Sequence, residues 1–416
     1  MTPSPVFFSD GLISEIFSVL PVKSVLRFKC LNNSCNTLIS DPSFVKLHLK
    51  RSTTRNTLLT INTQHIWESD HEKSDYEHYH RSHYSKFEVD YCLVPISISQ
   101  LIEKPSFTLS VDPYYQWRDN SWSDIVGFCN GLICFTGSVY GEQWLRLWNP
   151  ATKKKSEKMW VFSQYNGSGN SSFSFGCDNL NDTYKLVGFD YSYDRLTNDV
   201  RILSLGDNVW RNIESFPVIP FRLSYEENDV YFSGSLNWLA IHNDFLYSYK
   251  NITVEQFVIV SLDLGTETYN QYRLPSGFDE VPREEPTIGV LDGCLCFSYS
   301  YRETDFVIWK MNEFGVEDSW TQFLKVSYQN LHLDYEFNED TTKHYLQLVP
   351  LLLSGDGDTL ILRSSQDFQA ILYNLKDNRV ERTDITTSRI FTGKRTSDYV
   401  CWNFFKAFVE SLVPII

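Results

Sequence analysis

No stretch of the chain approaches the roughly 20 consecutive apolar residues that a membrane-spanning helix needs, so no membrane partner is expected. The N-terminal run MTPSPVFFSDGLISEIF has neither a basic start nor an uninterrupted apolar core. It does not fit a secretory signal and points to the cytoplasm or nucleus. Basic charge is scarce: 37 Lys and Arg stand against 52 Asp and Glu among 416 residues, a net of −15. A nucleic-acid role that needs a broad face of clustered cations is excluded on that balance. The nine cysteines include no C-x-x-C pair, only C-x4-C (Cys30/Cys35, Cys129/Cys134) and C-x-C (Cys294/Cys296). Neither a zinc ribbon nor a thioredoxin-like site is supported. Also absent are G-x-S-x-G, H-E-x-x-H, a Walker lysine loop and a G-x-G-x-x-G after a strand. No catalytic residue, metal or cofactor is expected, and the chain reads as a non-catalytic protein.

Aromatic residues are plentiful: 29 Phe, 24 Tyr and 11 Trp make 15% of the chain, a composition that suits strands and argues against a helical bundle. Charge is uneven. Residues 1–55 hold seven basic and three acidic side chains, a net of +4, so the other 361 residues carry −19. A sign change this sharp points to two modules with different partners.

The first fifty residues carry helical signals. Asp10 can cap or occupy the first turn of a helix running to Leu20. Along it, Leu12, Ile13, Ile16, Phe17 and Leu20 recur on one face at a 3.6 period. Pro21 stops that helix and suits the first position of the next, where Val22, Val25, Leu26 and Phe28 form a second apolar face. A third helix holds Leu38 and Ile39, and Asp41-Pro42 opens a fourth with Phe44, Val45, Leu47 and Leu49. Four short helices have more apolar surface than they can bury among themselves, so they need a partner.

The run FSDGLISEIFSVLPVKSVLRFKCLNNSCNTLISDPSFVKLHL, residues 8–49, resembles an F-box of the plant type. The resemblance implies a substrate receptor of an SCF-type cullin–RING ubiquitin ligase, whose first helices dock onto a small adaptor linked to the cullin. The docking set it implies here is Phe8, Leu12, Ile16, Leu20, Pro21, Val22, Val25 and Leu26. Three departures stand out: Phe8-Ser9 replaces the usual Leu-Pro opening, Gly11 replaces an acidic residue, and Cys35 replaces a large aromatic. Losing a Trp-sized side chain from a core costs ~3–5 kcal/mol if nothing fills the space, so weakened adaptor binding is an expectation.

Residues 64–86 hold five of the nine histidines (His65, His71, His78, His80, His83) amid acidic and aromatic residues. The spacing His78-x-His80-x-x-His83 can in principle surround a metal, but the stretch lacks apolar periodicity and a rigid frame. It reads as a solvated insertion. The expected organisation is a helical domain over 1–52, a linker and His/acidic-rich loop over 53–89, and a β domain over 90–416.

From residue 125 a two-part strand pattern recurs. Its first parts are NGLICF, YKLVGF, GSLNWLA, GCLCFSY and DTLILRS; its second parts are typified by LRLWNPATKKKSEK and IVSLDLGTETYNQYRLP. Equivalent positions Asn149, Ser204, Asp263, Met311 and Asn374 step by 55, 59, 48 and 63 residues. Periods near 50 with Gly-opened strands and a Trp per unit indicate propeller blades. A sixth blade is expected from Leu58–Ile61, Phe87–Leu93 and Phe107–Val111, with 397–409 helping to close the ring. The fold class is therefore α+β multidomain, a small all-α F-box followed by an all-β kelch-like propeller of about six blades. An open twisted β-sandwich is the rival.

The phrases GFCNGLICF, FSFGCDNLNDTYKLVGF and VYFSGSLNWLA resemble the plant F-box-associated interaction domain, related to kelch-type repeats and found in S-locus F-box proteins. That resemblance implies capture of a target protein for ubiquitination by the β domain, while the adaptor brings a cullin–RING ligase. The −19 of this half points to a target with a basic surface. Tyr114, Tyr115, Trp117 and Trp122 are candidate anchors, with a packed strand and turn as the other reading. The alternative function is a ligase-independent protein- or glycan-binding propeller with a degenerate F-box.

Overall fold

The computed structural model describes residues 9–52, 57–67, 87–110, 116–119, 123–139, 142–161, 171–190, 199–207, 209–221, 229–244, 247–333, 347–364, 369–388 and 406–415. Four helices open the chain: α1 (Asp10–Phe17), α2 (Val22–Lys29), α3 (Asn33–Ser40) and α4 (Pro42–Ser52). Ser9, not Asp10, caps α1, its hydroxyl accepting from the Leu12 amide at 3.4 Å. Asp10 lies in the first turn, where its charge meets the positive end of the helix dipole. The helix ends at Phe17, three residues before the expected Leu20, and Pro21 is the cap of α2 rather than its first residue. Asn32 and Asp41 cap α3 and α4 through the Cys35 and Ser43 amides, both at 2.8 Å. These polar caps satisfy amides that have no partner inside the helix.

The described β residues form six sheets of four or five antiparallel strands and one parallel pair. The second blade is Ser123–Cys129, Leu132–Val139 and Glu142–Asn149, with Lys154–Lys155 and Met159–Val161 sharing the outer position. The third blade is Ser171–Asp178, Thr183–Asp190, Val200–Ser204 and Trp210–Ile213. The fourth is Asp229–Phe232, Ser235–Ile241, Phe257–Asp263 and Thr268–Arg273. The fifth is Thr287–Leu291, Cys294–Tyr301, Asp305–Met311 and Trp320–Ser327. The sixth is Leu348–Leu353, Thr359–Ser364, Ala370–Asn374 and Val380–Arg382. From the second blade to the sixth, the first strand of each neighbours the first strand of the next, which makes a propeller and rejects the sandwich.

The glycine that recurs before the second strand of the second, fourth and fifth blades has a local cause. Asn130-Gly131, Ser233-Gly234 and Asp292-Gly293 are two-residue hairpin turns in which both residues have positive φ, from 51° to 82°. A tight hairpin whose twist matches its strands needs that conformation, and glycine adopts it without a Cβ penalty. Asp356-Gly357-Asp358 is likewise a hairpin turn, with Gly357 at φ 76° and its amide donating to the Ser354 carbonyl at 2.8 Å.

The ring closes through the first blade, whose strand order is Lys406–Phe408, Thr57–Trp67, Phe87–Ser97, Gln116–Asp119. The C-terminal strand takes the inner place, beside the inner strand of the sixth blade. Strand Thr57–Trp67 contains Leu58–Ile61, expected in this blade, extends further into the span 53–89 expected to be linker and loop, and pairs along its full length with Phe87–Ser97. Ser106–Ser110 is not a strand of this blade, contrary to expectation. It pairs in parallel with Asp384–Ser388 and forms a second seam between the two ends of the propeller.

One ionic network joins the third and fourth blades. The Lys185 ammonium, 5% exposed, lies 3.0 Å from Asp178, which is fully buried, and 2.8 Å from Glu267. It also donates to the Leu264 carbonyl, while Arg211 pairs with Glu267. Asp178 accepts from the Leu180 and Asn181 amides at 2.9 and 3.1 Å and so shapes its own hairpin turn. Burial pushes the Asp178 carboxyl up, but hydrogen bonds from Asn181 and Lys185 outweigh it and leave the group below its ordinary value. The Arg211 guanidinium holds Glu267 low. Depressed carboxyls stabilise the fold above their unfolded values, about 3.9 and 4.3, and that contribution is lost as pH falls. The protein should therefore lose stability on acidification below about pH 4. Lys185→Met strands the Asp178 charge and should cost about 3–5 kcal/mol at neutral pH, both effects being read by denaturant unfolding.

Candidate functional site

The helices present a narrow apolar stripe to solvent. Leu12 and Ile16 are 45% and 47% exposed and stand at i and i+4 on one face of α1, and Val19, in the turn that follows the helix, is 45% exposed. Ile13 and Phe17, read from the sequence as the same face, are only partly exposed, and Phe17 stacks on Phe28 with ring centroids 4.7 Å apart. The apolar positions of α1 thus divide into an inner and an outer set. Of the expected docking residues, Leu12, Ile16 and Pro21 are exposed, and Leu20 and Leu26 are partly buried. Val22 and Val25 are buried at 1% and 0% and offer no surface to a partner, which corrects their place in that set. Val19, two residues beyond the end of α1, is a further exposed apolar side chain that the expected set did not include.

Phe8, Tyr114, Tyr115 and Trp122 lie outside the described residues. Trp117 lies on the edge strand Gln116–Asp119, opposite Tyr91. His65 lies on strand Thr57–Trp67, and the remaining histidines of that cluster fall outside the described residues.

The buried helical residues share one core with the propeller. Val22, Val25, Ile39, Phe44 and Val45 cluster with Cys129, Leu132 and Leu147 of the second blade and with Cys177, Tyr184 and Leu205 around the third. These blade residues flank the tight hairpin turns, so the helices sit on that end of the ring. Lys46 of α4 pairs with Asp182 in a turn of the third blade. The C-terminal tail completes the junction: Leu412 and Val413 lie in the same core. Asn149, fully buried, donates to the Ser411 and Val413 carbonyls at 3.2 and 2.8 Å. A side chain at Gly131 would approach the Ser411 hydroxyl to 2.4 Å and the Val409 carbonyl to 2.6 Å.

The buried thiols are poor nucleophiles. Burial pushes Cys134 well up and Cys296 up to about 12, so both stay protonated at neutral pH. Cys129 is also raised by burial, and its thiol hydrogen bond lowers the neighbouring Cys177. Among the described residues, no group of three or more His, Cys, Asp or Glu is placed to hold a metal. The arrangement offers an apolar helical face on one end of the ring and loops on the other.

Comparison with known sequences agrees with that geometry. Residues 89–408 match the family described as F-box associated beta propeller domain. The chain belongs to this family. It is 28% identical over 324 residues to the F-box/kelch-repeat protein At3g23880 of Arabidopsis thaliana, covering 76% of this chain and 78% of that protein. It is 24% identical over 380 residues to F-box protein CPR1 of the same plant, covering 84% and 78%. Among solved structures it is similar to the β-propeller domain of the Trilobed protease from Pyrococcus furiosus. That match has 10% identity and a TM-score of 0.34, covering 65% of this chain and 75% of that one.

Two departures in the F-box helices now have a setting. Cys35 lies against the shared core and is partly exposed, so a larger ring there has an outlet to solvent. Gly11 lies in the first turn of α1 with no atom within 4 Å of an added Cβ. Gly11→Ala should stabilise α1 by about 0.5–1 kcal/mol, seen as slower amide exchange across residues 12–18.

Proposed function

We propose that this protein is the substrate-recognition subunit of an SCF-type cullin–RING ubiquitin ligase, a non-catalytic receptor of the cytoplasm or nucleus. The observation that carries the reading is the exposed stripe Leu12, Ile16 and Val19, beside the exposed Pro21, on helices seated on an F-box associated propeller. An apolar stripe held out from a shared core suits burial against a partner helix or groove. Its occupant in this reading is the SCF adaptor, through which the cullin is reached.

The end of the ring away from the helices is then free to take a target. Chain connectivity puts there the loops between second and third strands and the links between blades. The link from the fourth to the fifth blade, residues 274–286, exposes Asp279 and Glu280 and half-buries Glu285, against the partly buried Arg283, while Glu284 is buried and Arg302 pairs with Glu280. This balance supports a target with a basic surface. Ubiquitination follows from proximity: holding the target beside the loaded enzyme raises its effective concentration, and the bond chemistry belongs to other subunits. The second reading, a propeller working without a ligase, is favoured by Gly11 and Cys35.

Ile16→Asp is the sharpest test, because Ile16 is exposed and its loss leaves the core intact, whereas Leu20 packs against that core. Adaptor co-purification should disappear in this variant while the unfolding midpoint stays put. Retained binding contradicts the docking face. No complex from the natural sequence, but one from Cys35→Trp, would favour the second reading. For target capture, the association rate should fall steeply with salt; a flat dependence removes the charge argument.

A further inference from the structure

The end of α1 and the turn that follows it are held by α4. Among the described residues, the last turn of α1 has no basic side chain of its own, so its exposed carbonyls and negative dipole end need an outside partner. Arg51 of α4 supplies one, donating to the Glu15 carbonyl at 3.0 Å and to the Ser18 hydroxyl at 2.6 Å, and pairing with the Glu15 carboxylate. One helical turn earlier, the ring of His48 is fully buried and lies against Phe44. Its Nε2 sits 2.9 Å from the Leu20 carbonyl, and its Nδ1 sits 3.2 Å from the Ser52 hydroxyl. A carbonyl only accepts, so Nε2 carries the proton. In the neutral ring Nδ1 is then the acceptor, and the Ser52 hydroxyl is placed to donate to it.

The bond from His48 lands on the carbonyl immediately before Pro21, where the chain turns between α1 and α2. Proline has no amide to anchor the turn from its own side. The local backbone bonds there are Leu20 to the Phe17 carbonyl at 3.1 Å, and Ser24 and Val25 to the Pro21 carbonyl at 2.9 and 3.1 Å. We propose that His48 is a positioning residue for adaptor docking: its Nε2–H fixes the Leu20 carbonyl and presents Leu20-Pro21 in register with the stripe of α1. This rests on the docking reading above. The same helix is anchored to the third blade by the pair between Lys46 and Asp182 and by Phe44 and Val45 in the shared core. Through α4, the orientation of the docking turn is tied to the propeller. A turn ordered before binding does not have to be ordered at the moment of binding, so its loss weakens affinity without removing a contact.

The test uses the full chain and a purified plant SCF adaptor, comparing the natural sequence with His48→Leu, His48→Gln and Ile16→Asp. Adaptor affinity is measured together with amide exchange at Leu20, Ser24 and Val25. Glutamine can place a donor near the position of Nε2, and leucine cannot. The expected result is about tenfold weaker binding in His48→Leu, with faster exchange at those three amides and unchanged exchange in Leu132–Val139. His48→Gln should bind within about threefold of the natural sequence. If the natural sequence binds, Ile16→Asp does not, and His48→Leu binds as tightly as the natural sequence, the positioning role is overturned. Leucine and glutamine variants weakened equally would overturn it too, since a packing role alone would not separate them in this way. If the natural sequence does not bind, or Ile16→Asp binds unchanged, it is the docking face that fails, and the adaptor role of His48 fails with it.

Discussion

The last ten described residues of the chain hold both of its parts. Lys406–Phe408 fills the inner place of the first blade, so the ring cannot close without the C-terminus. The tail then runs past Gly131 and Asn149, and Leu412 and Val413 enter the core that the helices share with the second and third blades. A propeller made of separate blades leaves a seam between its first and last units. Here the seam has two stitches, an inner antiparallel one and a peripheral parallel one between Ser106–Ser110 and Asp384–Ser388. The continuation of the inner stitch is what seats the helical domain. Ring closure and presentation of the docking stripe are consequences of one segment.

That dependence explains an economy in the first fifty residues. Four helices of eight to eleven residues are too few to bury their own apolar side chains, and a domain of this size is marginal alone. Val22, Val25, Phe44 and Val45 find cover in the propeller, while Leu12, Ile16 and Val19 do not. The residues left over after internal packing are the ones available to a partner. Under the proposed receptor function a rigid seat also has a use: it keeps a fixed distance between adaptor and target, whereas a loose joint spreads the target over a larger volume.

Much of the propeller was legible where the cause is local. Asn130-Gly131 and Asp292-Gly293 mark hairpins because only a few residues tolerate positive φ. The steps near 50 residues follow from one blade being one repeating unit. What depends on distant partners was not legible. The four apolar residues of α1 and Leu20 in the turn after it share one period, and only the position of Phe28 and the blades decides that Ile13 and Phe17 turn inward. The apolar start of strand Thr57–Trp67, Leu58–Ile61, reads as part of a blade, but its polar, histidine-bearing end does not, and only the pairing with Phe87–Ser97 carries the strand on to Trp67. The pair between Lys185 and Glu267 spans 82 positions, and the parallel pairing at the seam spans far more. Neither leaves a trace in local pattern. The proposed docking set falls between these cases: the resemblance names the helices, and the tertiary packing that leaves Leu12 and Ile16 exposed and buries Val22 and Val25 has no local signal.

The claim that one tail-sealed core unites helices and propeller is most directly tested by the rate at which buried thiols react. Cys129 and Cys177 lie within that core, and Cys296 lies in the core between the fifth and sixth blades. Peptide-resolved labelling by a thiol reagent would be compared between the full chain and one ending at Phe408. The account predicts slow labelling of all three in the full chain. Without the tail, it predicts much faster labelling of Cys129 and Cys177, with Cys296 still protected. Equal rates at Cys129 and Cys177 in the two chains would contradict it.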